Sequence, residues 1–346
     1  MTGTLLDGID AHIVESPRLK AAVLERASTG TPSKTVVFVH GNVSSSLFWQ
    51  PTMLALPSDV RALAIDLRGF GDSETLPVDA TRGVRDFSDD VASVLESLGI
   101  ERANFVGWSM GGGVVMQYLI DHPERVQTLT LVSPVSPFGF GATDGVDGHR
   151  LNDEFAGSGG GGGNPDFVER LGRDDTSDDP TSPRAIYRTT YVKDASETTY
   201  EDLWVESMLS TKTGVDNYPG DGVPAEHWPG FGPGTRGVLN TMAPRYFDVS
   251  GIVDLTDKPP ILWVHGADDV IVSDTSLFDL NFLGQLGAIP GWPGAEAAPP
   301  QPMVTQTRAV FTRYGNYEEV IYENCGHSAH LEHPEEFRSA LTAHLA

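Results

Sequence analysis

A chain of 346 residues with 39% hydrophobic content is long enough to bury a large core and still carry a subdomain. Its formal net charge of −25 excludes nucleic acid and anionic membrane surfaces as partners, because both select a positive footprint, and leaves small molecules that are neutral or cationic. The one cysteine, Cys325, excludes an intramolecular disulfide, and residues 1–24 mix Asp7, Asp10, Glu15, Arg18 and Lys20 among apolar positions, so neither a signal peptide nor a membrane span is expected and the expected location is cytoplasmic.

Taken in chain order, the first strong signal follows the short strand predicted at Ala103-Asn104-Phe105-Val106. There Gly107-Trp108-Ser109-Met110-Gly111 leads into an apolar stretch, Gly112 to Ile120, that reads as a buried helix. A strand that turns directly into a helix forces its central residue to positive φ, and the flanking glycines leave room for the tight backbone. Ser109 is therefore a candidate nucleophile. A strand at Thr128 to Val132 comes next, and then a long segment without core-strand signals, residues 136–254, read as an inserted cap. It opens with Pro and Gly and passes through the run Gly157-Ser158-Gly159-Gly160-Gly161-Gly162-Gly163. With no Lys-Ser or Lys-Thr after it, this run is expected to be a flexible linker and not a phosphate loop. Tyr187, Tyr191, Tyr200 and Trp204 fall at spacings that suit short helices and read first as cap core, second as substrate wall.

The apolar strand Pro260-Ile261-Leu262-Trp263-Val264-His265 runs into Gly266-Ala267-Asp268-Asp269, which places an acid at a strand end. Residues 277–305 form a second, proline-rich insertion, expected either to shape one pocket wall or to be a structural flap. A last strand, Glu318 to Glu323, precedes Asn324-Cys325-Gly326-His327 and a C-terminal helix starting near Pro334. Serine needs a general base and a group to orient it, and the order Ser109, Asp269, His327 supplies both. Cys325 has no elbow around it and reads as a packed loop residue. His327, His330, Glu332 and His333 do not have the H-E-x-x-H spacing, so no metal is expected; His330 and His333 are read as loop residues near the surface.

Together these motifs resemble the α/β-hydrolase superfamily over roughly residues 10–135 and 255–346. Val39-His40-Gly41-Asn42 is similar to the family's HG-x segment, and Asp66-Leu67-Arg68-Gly69-Phe70-Gly71-Asp72-Ser73 to its D-x-R-G-x-G-x-S turn. The resemblance implies a mostly parallel twisted sheet flanked by helices, a core of residues 1–135 and 255–346, and a largely helical cap at 136–254. It also implies an oxyanion hole from the backbone N–H groups of Asn42 and Met110, and no cofactor. The Asn42 side chain is read either as a turn-former or as a substrate contact, and Trp108 as a pocket wall. His40 to Trp49 also resembles haloalkane dehalogenases, but those and the epoxide hydrolases carry an aspartate nucleophile where this chain has Ser109. The expected reaction is acyl transfer to water from a small, mostly apolar ester or lactone. Amide, carbon-carbon and perhydrolysis chemistry on the same triad, and a non-enzymatic receptor, stand as alternatives. Arg184 or Arg188 would reverse the negative field if either faced the pocket.

Overall fold

The computed structural model describes residues 4–346. Eight strands form one sheet: β1 Asp10–Glu15, β2 Lys20–Arg26, β3 Lys34–Val39, β4 Val60–Ile65, β5 Ala103–Trp108, β6 Val126–Val132, β7 Ile261–Gly266 and β8 Tyr317–Tyr322. Their order is β1-β2-β4-β3-β5-β6-β7-β8, and β2 alone runs against the rest. All six residues of β5 and of β7 are buried, as continuous apolar runs covered on both faces of a parallel sheet should be. Helices Arg85–Ser97, Met110–Asp121, Met303–Tyr314 and Pro334–His344 supply much of that cover.

Register brings the loops that matter to one edge. Val39 pairs with Gly107, Trp108 with Val132, Val132 with Val264, and Gly266 with Tyr322, so β3, β5, β7 and β8 all end side by side. In open α/β sheets the crevice outside these carboxyl ends is where ligands bind. The Asp66–Ser73 turn braces that edge. Buried Asp66 accepts the Ser46 N–H (2.7 Å) and the Asp72 N–H (3.0 Å), and burial pushes its carboxyl up to about 6. Arg68 clamps Asp90 through two bonds, of 2.6 and 2.7 Å.

Between β6 and β7 the longer helices are Pro165–Gly172 and Glu201–Leu209, joined by shorter turns and by three two-stranded ribbons, at 143–150, 213–219 and 222–233. Loops carry more of this segment than helices do, which departs from the largely helical cap that the sequence suggests. The glycine run is a second correction, because it is not a linker. The Gly160 N–H donates to Asn240 Oδ1 (2.9 Å), and a side chain on Gly160 would meet the Asp221 carbonyl at 2.4 Å. Glycines stand there because neighbouring groups press on the run, the Phe231 ring at 2.5 Å from a Cβ on Gly161 and Pro219 at 2.8 Å from one on Gly163, a demand that composition alone does not distinguish from flexibility. In the second insertion, the one-and-a-half-turn helix Leu280–Gln285 packs through Gly284 on Trp292, while Trp228 Nε1 donates to the Pro290 carbonyl (3.1 Å) and ties the two insertions together. Among the described residues, no helix is long and apolar enough to cross a membrane.

Candidate active site

Ser109 sits between the end of β5 and the first residue of the next helix at φ +55° and ψ −120°. The close approach that forces this geometry is visible in its neighbours. A Cβ on Gly111 would lie 2.4 Å from the carbonyls of Val39 and His40, and one on Gly107 would lie 2.5 Å from the Gly111 carbonyl. Ser109 N–H donates to the Val132 carbonyl (2.9 Å), which ties the elbow to β6 and leaves its side chain at the crevice. Met110 opens the helix, so its N–H has no acceptor within that helix.

The loop after β3 crosses directly above. A Cβ on Gly41 would touch the Ser109 Cβ at 3.0 Å. The Gly41 carbonyl shares its peptide plane with the Asn42 N–H, and that carbonyl accepts from His40 Nδ1 (2.8 Å) and from Ser44 Oγ (2.9 Å). His40 Nε2 in turn accepts the Leu67 N–H (3.0 Å). Burial pushes the His40 imidazole down to about 4, so it stays neutral and keeps one donor and one acceptor nitrogen for these two bonds. The motif alone does not assign His40 this bracing role, because both of its partners are backbone groups.

His327 is buried, and its Nδ1 lies 2.8 Å from Asp269 Oδ2. Asp269 is fixed from behind, because its Oδ1 accepts the N–H groups of Ile271 (2.7 Å) and Val272 (3.0 Å). With Nδ1–H committed to a carboxylate, the network assigns the free lone pair to Nε2. Gly266 permits this meeting of loops, since a Cβ there would lie 2.1 Å from the Cys325 carbonyl. Asp268 points elsewhere and pairs with Lys193 Nζ at 3.0 Å near the surface. Trp108 does two things at once. It lines the cavity, and its indole N–H donates to the His327 carbonyl (3.0 Å), stapling the elbow to the histidine loop. Cys325 is fully buried, and burial, then the neighbouring Glu332, pushes its thiol far above the usual range, which opposes formation of the thiolate.

His330 is not a surface loop residue. The single turn Ala329–Glu332 points it inward between Trp49 (ring centroids 4.5 Å apart) and Trp108 (4.9 Å), and neither ring nitrogen has a hydrogen-bond partner among the described residues. Burial, then the neighbouring His327, pushes its pKa down to about 3 from the ordinary 6.5. A histidine depressed on folding contributes stability above pH 6.5 that is lost as pH falls toward 3, at most about 1.4 kcal/mol per pH unit. His330→Phe is therefore expected to lose less stability between pH 7 and pH 5 than the wild type, as read by denaturant unfolding at both pH values. An unchanged difference would contradict this. His333 is half-buried and stacks on Tyr322 (5.1 Å, 10°).

Ser109 and His327 open into a cavity of about 450 Å³, with Asn42 on its wall. Its lining is mostly apolar and aromatic, from Phe140, Phe167, Ile186 and Met242 on the insert side to Leu277, Phe278 and Leu283 of the second insertion, with Ser158, Asn164 and Thr190 as uncharged polar members. The glycine run supplies part of the roof. No Asp, Glu, Lys or Arg lines it among the described residues. Arg184 and Arg188 are held outside, paired with Glu201, Asp202 and Asp178, so neither sets the field within. Of the cap aromatics, Tyr187 and Trp204 are core, Tyr200 is exposed, and Tyr191 reaches the cavity.

A family model described as the alpha/beta hydrolase fold matches residues 34–291, which is more than half of the chain. The chain belongs to that family. Among its relatives, carboxylesterase YbfK of Bacillus subtilis (strain 168) is 32% identical over 112 residues, 32% of this chain and 38% of that protein. The 2-hydroxymuconate semialdehyde hydrolase of Pseudomonas sp. (strain CF600) is 36% identical over 115 residues, 32% of this chain and 40% of that one. These alignments thus span about two fifths of the relatives they match. In three dimensions the carboxylesterase CesB (YbfK) from Bacillus subtilis superimposes with a TM-score of 0.60 at 18% identity, over 98% of this chain and 92% of that one, a likeness of fold.

Proposed function

We propose that this α/β hydrolase cleaves a small, neutral, mostly apolar carboxylic ester or lactone through an acyl-enzyme, with residues 136–254 as its cap. The observation that carries the reading is the buried His327–Asp269 hydrogen bond at the floor of a charge-free cavity that also holds Ser109 at positive φ. In this reading Ser109 Oγ attacks the carbonyl carbon as His327 Nε2 takes its proton. The carbonyl oxygen, now negative, is received by the N–H groups of Asn42 and Met110. Collapse breaks the bond to the leaving alkoxide, which takes the proton from His327. Water, deprotonated by the same imidazole, then attacks the acyl group, and Ser109 leaves with the returned proton. Asp269 holds the tautomer and stabilises the imidazolium. Ester specificity follows from the leaving group, since alkoxide departs more easily than amide nitrogen. The carboxylesterases among the relatives agree with that choice.

Turnover by the pure protein of a panel of p-nitrophenyl esters and chromogenic lactones tests the reading. Short-chain neutral esters should be hydrolysed repeatedly, and absence of turnover across the panel would overturn it.

Charge selection follows from the same cavity. A substrate with a free carboxylate must pass a surface of net charge −25 and then bury its charge where no cation lines the wall. Its kcat/KM should be at least about tenfold below that of its neutral methyl ester. Raising salt screens the first effect over a Debye length of roughly 10 Å at 0.1 M but not the second, so the gap should narrow without closing. Equal efficiencies at low salt would contradict the charge-free pocket as the selecting feature.

A further inference from the structure

We infer that Tyr191, a residue of the insert, is a positioning residue for the oxyanion hole, so that the cap must be seated for Ser109 to turn over. The inference rests on the Ser109 reading above and extends it to a residue that touches no reacting atom. Tyr191 Oη donates to the carbonyls of Asn42 and of Val43, each at 3.0 Å, one phenolic proton shared between two acceptors. Those carbonyls belong to the two peptide units that follow the Asn42 N–H. The peptide unit containing that N–H is already fixed from the core side by His40 and Ser44. Tyr191 fixes the other side.

Val43 shows why a clamp is needed there. Its φ is +46°, in the left-handed region that a β-branched residue rarely adopts. Such a conformation persists only where the surroundings over-determine it, and such residues concentrate at functional sites. Released from the clamp, the chain at Val43 has every reason to relax to negative φ, which would swing the adjoining Asn42 N–H away from Ser109.

The clamp comes from an unusual place in the chain. Tyr191 ends the single π-turn Tyr187–Tyr191, and its ring packs edge-on against both Trp108 (5.6 Å) and His327 (6.3 Å). Turns of this kind occur often at functional sites, because the extra residue re-aims a side chain. Two residues on, the Lys193 N–H donates to Glu332 Oε2 (2.6 Å), whose other oxygen accepts the Gly326 N–H (2.7 Å) beside His327. One short cap segment, 191–193, thus holds the oxyanion loop and the histidine loop together.

The test is Tyr191→Phe, which keeps the ring and its packing and removes only the shared proton. On a p-nitrophenyl ester that the wild type turns over, kcat should fall about 10- to 100-fold with KM within about twofold, since a misplaced donor weakens the transition state and not the ground state. Affinity for an alkyl boronic acid, whose adduct with Ser109 is tetrahedral, should fall by a similar factor. Tyr187→Phe removes the hydroxyl that meets Thr198 in the same turn and should leave kcat and boronate affinity unchanged. Wild-type kcat in Tyr191→Phe, or a raised KM with unchanged kcat and boronate affinity, would reduce Tyr191 to a pocket wall and overturn the inference. An equal loss in Tyr187→Phe would do so too, by making the effect one of cap folding. Ser109→Ala on the same ester separates the two levels: full activity there removes the nucleophile reading itself, whereas a dead Ser109→Ala beside a fully active Tyr191→Phe removes only the clamp.

Discussion

Ser109→Ala is expected to cut ester hydrolysis by on the order of 10⁴-fold or more while leaving the protein folded. The two halves of that expectation rest on different parts of the site. The loss follows from the nucleophile's role, because without Oγ no acyl-enzyme forms and only binding and the oxyanion donors remain to act on water. The preserved fold follows from what holds the elbow. Its hydrogen bonds are backbone bonds, from Ser109 N–H to Val132 and from the Gly112 and Val135 N–H groups to the Ser109 carbonyl, and alanine keeps all three. Alanine at φ +55° meets the same Cβ strain as serine, so the substitution adds none. A fluorophosphonate should label the wild type and not the variant. Labelling that persists in Ser109→Ala would assign the nucleophile to another serine.

The next largest effect is expected at the acid, where two adjacent carboxylates provide an internal control. Asp269→Asn should lower kcat/KM by roughly 10²- to 10⁴-fold, because an amide facing His327 Nδ1 favours the wrong tautomer and gives the imidazolium no counter-charge. An asparagine also turns a donor toward either Nδ1–H or the N–H groups of Ile271 and Val272, which now share the two oxygens of Asp269. Asp268→Asn removes only the ion pair with Lys193, and a half-exposed pair of this kind contributes little. Its kinetics should stay within about twofold of the wild type. Steady-state kinetics on one p-nitrophenyl ester decide the matter, and the opposite pattern would move the orienting role to Asp268.

The site is legible in the sequence where backbone geometry forces composition. A positive-φ elbow whose Gly111 packs under the carbonyls of Val39 and His40 and whose Gly107 packs under that of Gly111 must have glycines beside its serine, so Gly107 and Gly111 mark Ser109 in the chain itself. The acid and histidine loops are legible because each follows a short strand-like run, Ile261 to Gly266 and Tyr317 to Tyr322, and because Gly266 stands where the two loops touch. The core strands that carry these loops show in the same apolar runs.

What stays hidden depends on contacts between residues far apart in the chain. Nothing near Gly157–Gly163 announces that Asn240 and Asp221 will close around it, so a packed cavity wall reads as a linker. His330 lies three residues after His327, and its neighbourhood of Trp49, Trp108 and Phe337 comes from three other elements. Tyr191 stands out in the sequence only as one aromatic among several in the cap. Its distinction is a hydroxyl that reaches a strained loop some 150 positions earlier, at Asn42 and Val43. The cap's own fold is the least readable part, because its helices and two-stranded ribbons are too short to leave a long periodic pattern.

Pre-steady-state release of p-nitrophenol from a short-chain p-nitrophenyl ester tests the central claim most directly. An acyl-enzyme on Ser109 that water resolves predicts release of at least one equivalent per protein, continuing release over many turnovers, and loss of both phases in Ser109→Ala. One equivalent followed by nothing, with the acyl group or product retained, would make the protein a small-molecule receptor on a hydrolase fold and would contradict the account.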